Sequence, residues 1–225
     1  MRILRVFSIF ILVAVIAVIG YAGFQKNGPD QFEAAFNQGG KIALDLSAGG
    51  YEIRGTTDNK IKVEIDPGET REVHTTVNVS GTTAKVTVEG PSNNFHATIY
   101  VPQRSDLQID QTVGELIVSN VEGNKNAALG IGRMQLEATS GPQLPSFDGT
   151  VLLGALKANA WHIEKGGFFR GYDTRSSSPY SIKAHVDIGD LEVIDVSPRL
   201  SDSHSQKSGH ADNNVSDEDS DDDSQ

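Results

Sequence analysis

Glu115 and Asp190 occupy the same place in two copies of a short phrase, Val113-Gly114-Glu115-Leu116-Ile117-Val118 and Ile188-Gly189-Asp190-Leu191-Glu192-Val193. Two carboxylates at matching positions are the least that general acid and base work on a glycosidic bond requires. Alternation along the phrase turns both outward, where a charge also serves solubility. The six histidines, His74, His96, His162, His185, His204 and His210, are the other proton- and metal-competent groups. None stands at the i, i+4 spacing of a helical metal pair or the i, i+2 spacing of a strand pair, so ordinary surface or half-buried histidines are expected and no metal. The cluster Asp217–Asp223 offers the hard oxygens that calcium takes, without the glycine turn and alternating spacing of a calcium loop; it reads as a solvated, self-repelling tail. There is no Gly-x-Ser-x-Gly elbow and no glycine-rich phosphate loop. With no cysteine, disulfides, thiolate metal sites and cysteine nucleophiles are excluded. No catalytic residue and no cofactor is expected.

Binding chemistry is better represented. Lys165 to Ser181 mixes Phe168, Phe169, Tyr172 and Tyr180 with Arg170 and Arg175 among glycine and serine. Aromatic rings and guanidinium groups anchor protein interfaces and stack on sugars, so these six residues form a candidate partner surface. A competing reading has Phe168 and Phe169 cover the open end of a stack of strands. The composition of the segment suits an irregular loop.

The elements that must carry these residues are written in the same phrase: an aliphatic, a glycine, any residue, a large apolar residue, any residue, an apolar residue. A third clear copy is Ile131-Gly132-Arg133-Met134-Gln135-Leu136, and looser ones are Ala48-Gly49-Gly50-Tyr51-Glu52-Ile53 and Leu153-Gly154-Ala155-Leu156-Lys157-Ala158. Glycine followed by apolar residues at alternate positions describes a turn and then a strand with one buried face. Recurrence at a step of very roughly 20 residues, where the copies are closest, is the mark of stacked single-strand rungs. The expected fold is all-β, a single-stranded β-solenoid over residues 31–196, rich in Val, Ile, Thr and Gly. Before the first clear copy, Phe32, Ala34 and Phe36, then Ile42, Leu44 and Leu46, Ile61, Val63 and Ile65, and Phe95, Ala97, Ile99 and Val101 alternate in the same way, and Pro102 should end its strand.

Composition changes at both ends. Val6–Phe24 is an apolar run of about 19 residues interrupted only by Ser8 and preceded by Arg2 and Arg5, long enough to cross a hydrocarbon core of ~30 Å. The basic N-terminal side predicts that this end stays in the cytoplasm and that the remainder lies outside. Residues 1–25 are therefore read as a membrane anchor; a cleaved signal peptide, with Gly20 and Ala22 near the cut and a secreted or periplasmic product, is the alternative. Residues 26–30 read as a linker, and residues 197–225 as a disordered Ser/Asp-rich tail. Within it Ser201–Gln225 places eight acidic residues against Lys207 and carries most of the net charge of −11. With no basic stripe to release counterions from phosphate, a nucleic-acid partner is excluded.

Gly49–Ile65, and Tyr100-Val101-Pro102 followed by Leu107–Val118, resemble the bacterial putative-adhesin repeat family, also called toastrack domains. Tyr51-Glu52-Ile53-Arg54-Gly55 and Lys62-Val63-Glu64-Ile65 stand at the family's aliphatic-x-Gly step and Val-x-Val pair. The resemblance spans approximately Phe32 to Val196, breaks at Lys165–Ser181, and implies a β-solenoid on the outer side of a membrane with no catalytic residues to carry over. The function expected is a non-enzymatic, membrane-anchored, extracytoplasmic adhesin-like domain that binds another envelope protein or a polysaccharide. A sensor or regulatory subunit of a cell-envelope stress complex and a small polysaccharide-degrading β-helix enzyme are the alternatives.

Overall fold

The computed structural model describes residues 25–26, 31–66, 73–91, 95–138 and 143–196. The apolar run Val6–Phe24 and the acidic tail with His204 and His210 lie outside them. Among the described residues no helix is long and apolar enough to cross a membrane.

The chain is all-β. Its strands are β1 (Gln25–Lys26), β2 (Gln31–Ala35), β3 (Lys41–Leu46), β4 (Gly49–Thr56), β5 (Lys60–Ile65), β6 (His74–Ser80), β7 (Thr83–Glu89), β8 (His96–Pro102), β9 (Asp106–Ser119), β10 (Lys125–Glu137), β11 (Ser146–Ala158), β12 (Ile163–Thr174) and β13 (Ser181–Ile194). One path of pairing runs β1-β2-β5-β8-β4-β9-β10-β13-β11-β12, while β3 pairs with β7 and β9, and β6 with β7. The long strands β9, β10, β13 and β11 are mutually parallel. Their first halves continue one row through β3, β7 and β6, and their second halves another through β4, β8, β5 and β2. Each long strand therefore belongs to two limbs of a folded sheet, with the core between the limbs.

Burial along the long strands shows how one sequence serves both limbs. In β9 the inward residues are Leu107, Ile109 and Gln111, then Leu116 and Val118; in β10, Ala127 and Leu129, then Met134 and Leu136; in β13, Ala184 and Val186, then Leu191 and Val193. Each series jumps by an odd number of residues at the middle, Gln111 to Leu116, Leu129 to Met134, Val186 to Leu191. Because side chains alternate with period 2, an odd step exchanges the two faces. The strand must bend there to keep both halves facing the core.

The glycines make that bend. Gly49, Gly114, Gly132, Gly189, Gly154 and Gly167 follow one another in register across β4, β9, β10, β13, β11 and β12. All six have positive φ, between 112 and 154°, a backbone region that L side chains rarely adopt. A Cβ on Gly132 would run into the carbonyl oxygen of Gly114, and one on Gly189 into that of Gly132. Gln111 serves the corner from inside, donating from Nε2 to the carbonyl oxygens of Gly49 at 2.8 Å and Val113 at 3.1 Å.

Two expectations change. A coil of successive rungs would stack the strands in chain order, but β13 lies between β10 and β11. Of Lys165–Ser181, expected as irregular loop, residues 165–174 belong to β12, an antiparallel edge strand on β11. Its half-buried positions are Ile163, Lys165, Arg170, Tyr172 and Thr174, so polar stems and one phenol stand where aliphatic residues stand in other strands, and the apolar alternation that would announce a strand is missing. Ile163 and Tyr172 close the end of the core together with Trp161, whose ring stacks on Phe147 at 4.8 Å, while Tyr172 lies 6.2 Å from the same ring.

Candidate functional site

The residue before each corner glycine is turned outward by the change of face. Val113, Ile131, Ile188 and Leu153 are 38, 49, 46 and 39% exposed, and register places them side by side, with Phe168 of β12 next after Leu153. Phe168 is 68% exposed and the neighbouring Phe169 79%. Five apolar side chains on adjacent strands, at ~4.8 Å per strand, make a ridge of about 19 Å along the outer corner of the folded sheet. Scattered exposed aliphatics are ordinary, but a contiguous line of them is the surface feature that marks a binding site. The ridge's four aliphatic members were not among the site residues singled out from sequence. Their signal was present: the spacing of three from Val113 to Leu116, repeated from Ile131 to Met134 and Ile188 to Leu191, cannot leave both apolar residues on one face of a strand.

Of the six residues expected to form a partner surface, Phe168 and Phe169 come together at the end of this ridge. Phe169 has φ of 51°, a left-handed conformation that costs a bulky residue of order 1 kcal/mol. Being outward, neither phenylalanine covers the end of the core, so the capping role falls to Trp161, Ile163 and Tyr172. Arg170 and Lys165 fold back along β12, Arg170 Nε donating to the carbonyl oxygen of Gly166 at 2.7 Å and Lys165 Nζ to that of Gly171 at 2.9 Å. Lys165 also lies 5.5 Å from the centre of the Tyr172 ring. Arg175 is exposed beyond the end of β12, and Tyr180 is half-buried just before β13.

Glu115 and Asp190 stand outward beside the ridge, two strands apart with Arg133 between them. Arg133 pairs with Glu192 at 2.9 Å, and that hydrogen bond holds its guanidinium above the usual value. Asp190 Oδ1 accepts the Ala155 N–H at 3.1 Å. A groove of about 290 Å³ lined by Glu52, Asp66, His96, Glu115 and Ile117 lies over β4, β8 and β9, beyond the Val113 end of the ridge. Along the β9 to β13 stretch of the ridge a groove of about 210 Å³ is lined by Asp45, Asp110, Thr112, His185 and Asp187, with His185 Nε2 2.9 Å from Asp187 Oδ1. Among the described residues, no group of three or more carboxylate or imidazole side chains is arranged to hold a metal ion.

No protein-family model matches the chain, and no curated protein does. Among solved structures, the chain is similar to a putative cell adhesion protein from Clostridium sporogenes, at 14% identity over 73% of this chain and 98% of that one, with a TM-score of 0.49. It is similar also to putative adhesins from Bacteroides fragilis, at 11% identity over 73% of this chain and 96% of that one, TM-score 0.26, and from Parabacteroides merdae, at 8% identity over 72% and 80%, TM-score 0.25. These three solved structures are named as putative adhesins or a putative cell adhesion protein.

Proposed function

We propose that the chain is a non-enzymatic adhesin-like domain, carried outside the cytoplasm on an anchor at Val6–Phe24, which binds another envelope component through the ridge at its glycine corner. The observation that carries this reading is the unbroken outward line Val113, Ile131, Ile188, Leu153 and Phe168. Water-exposed apolar side chains gain roughly 25 cal/mol per Å² when a partner covers them, and a rigid ladder loses little entropy on doing so. In this reading the parallel bent strands act as a solenoid-like post. The anchor sequence directly precedes β1 at one edge of the sheet, and Phe168 and Phe169 sit on β12 at the opposite edge, nine strand steps along the pairing path. At ~4.8 Å per step that is about 43 Å, which sets the aromatic end of the ridge well away from the anchor.

Non-enzymatic function fits the placement of Glu115 and Asp190. They stand on the outer side of a corner, the cation Arg133 between them, and the oxygen of Asp190 is already used by a backbone amide. The test is capture of partners from intact membranes by the full chain and by Phe168→Ala/Phe169→Ala. Because both rings are largely exposed, the variant should keep its stability within about 0.5 kcal/mol while losing most of the captured partner. Unchanged capture, or loss of capture together with a collapse in melting temperature, would remove the ridge from the function.

A further inference from the structure

We propose that the partner presents a basic polypeptide segment whose apolar side chains cover the ridge and whose lysine or arginine side chains enter the two grooves near it. This inference rests on the reading of the ridge as the binding surface and adds the chemistry of what it binds. The ladder is aliphatic over four of its five strands, Val113, Ile131, Ile188 and Leu153, with aromatic surface only at Phe168 and Phe169. Sugar recognition relies on aromatic faces, whereas aliphatic side chains match aliphatic side chains of a polypeptide.

The sign of the partner follows from these grooves. Both are lined by carboxylates, Glu52, Asp66 and Glu115 in one and Asp45, Asp110 and Asp187 in the other. The cations nearby pair within the domain, Arg54 with Glu52, Lys85 with Asp45 at 3.4 Å and Arg133 with Glu192 at 2.9 Å, which offsets Glu52 and Asp45 and leaves the charges of Asp66 and Glu115 in one groove and of Asp110 and Asp187 in the other. At the β12 end, Lys165 and Arg170 are turned onto backbone carbonyls. An apolar line with one acidic trough along its β9 to β13 stretch and another beyond its Val113 end is complementary to a segment that joins apolar and positive side chains. The same troughs repel an anionic lipid surface, an acidic polymer or a second copy of this chain, whose net charge is −11.

The full chain in nanodiscs of zwitterionic lipid is titrated against three fluorescent decapeptides, one alternating leucine with lysine, one leucine with glutamate and one serine with lysine, with anisotropy as the readout. The leucine–lysine peptide should bind at least about ten-fold tighter than the serine–lysine peptide, and the leucine–glutamate peptide should not bind. Ile131→Ser/Ile188→Ser should abolish the preference for leucine. Glu115→Gln/Asp187→Asn should weaken the leucine–lysine peptide about ten-fold and flatten its salt dependence; this variant keeps side-chain shape, so a poorly folded serine variant would not leave the question open. Equal binding of both lysine peptides, unaffected by the ridge substitutions, would mean that only diffuse acidity is read and would overturn the inference. Preference for the glutamate peptide, anionic vesicles or a polysaccharide, or self-association through the same ridge, would also overturn it while leaving the ridge as a binding surface. Ridge substitutions that change neither peptide binding nor capture from membranes would remove both.

Discussion

Lys125 opens β10 with its side chain in the core, 2% exposed, between Leu107 and Ile182 on the flanking strands. Burial pushes its amine down to about 8, against the opposing pull of Glu137 and Glu122. The charged form is therefore less favourable in the folded chain than in the unfolded one, whose lysine keeps its ordinary value near 10.5. Between those two values the unfolded state binds more protons, so stability should rise as pH increases from about 8 to 10.5, by about 3 kcal/mol, and the full cost should persist below pH 8. Urea unfolding across that window checks the slope, and Lys125→Met should flatten it and raise stability at neutral pH. Nothing in the sequence around Asn124-Lys125-Asn126 announces a buried amine, because a lysine ordinarily reads as a surface residue. The alternating aliphatics of the core were legible, since their period is fixed by the pleat. The exposure of Val113, Ile131 and Ile188 followed from the same rule, through the spacing of three to the next buried residue, but was passed over because an apolar residue beside a strand invites assignment to the core.

The corner glycines and the edge strand carry the argument for the elements. Gly132 sits in the middle of the in-register row, with φ of 141° and the Gly114 carbonyl oxygen where a Cβ would go. Gly132→Ala should cost more than about 3 kcal/mol, combining a disfavoured backbone with a clash against main chain that has no room to yield; denaturant unfolding measures it, and a loss under 1 kcal/mol would mean that the corner is not set by glycine. At the edge, Lys165 and Arg170 occupy the carbonyl oxygens of Gly171 and Gly166. Unpaired edge carbonyls are templates for pairing with another chain, and charged side chains folded over them are a common protection. Lys165→Ala/Arg170→Ala should therefore raise the share of dimers or larger species seen by light scattering after size exclusion, with the strands themselves retained. The corner was readable because glycine meets a backbone demand that no other residue meets. The edge strand was not, because its inward places are filled by cation stems and Tyr172, and a strand closing the end of a core need not alternate apolar and polar residues.

At the scale of the whole molecule the sequence carried the all-β class, the alternation and the repeated bend, but not the order of the strands. The copies of the phrase at Gly132, Gly154 and Gly189 are nearly interchangeable as sequence, so local pattern does not say that β13 enters between β10 and β11; only the long-range pairing settles that order. The consequence for function is continuity, because inserting β13 brings Ile188 between Ile131 and Leu153 and extends one apolar line from β9 to β12. That line, with acidic grooves near it and set at the sheet's outer corner, is the basis for the proposed binding function. Its most direct test is a photoreactive phenylalanine analogue placed singly at Ile131, in the ridge, and at Asn126, outward on the same strand but away from the corner, in full-length protein within its own membrane. A discrete crosslinked partner from position 131 and none from position 126 is the expected result. Crosslinking from position 126 alone, or indistinguishable labelling from both, would contradict it.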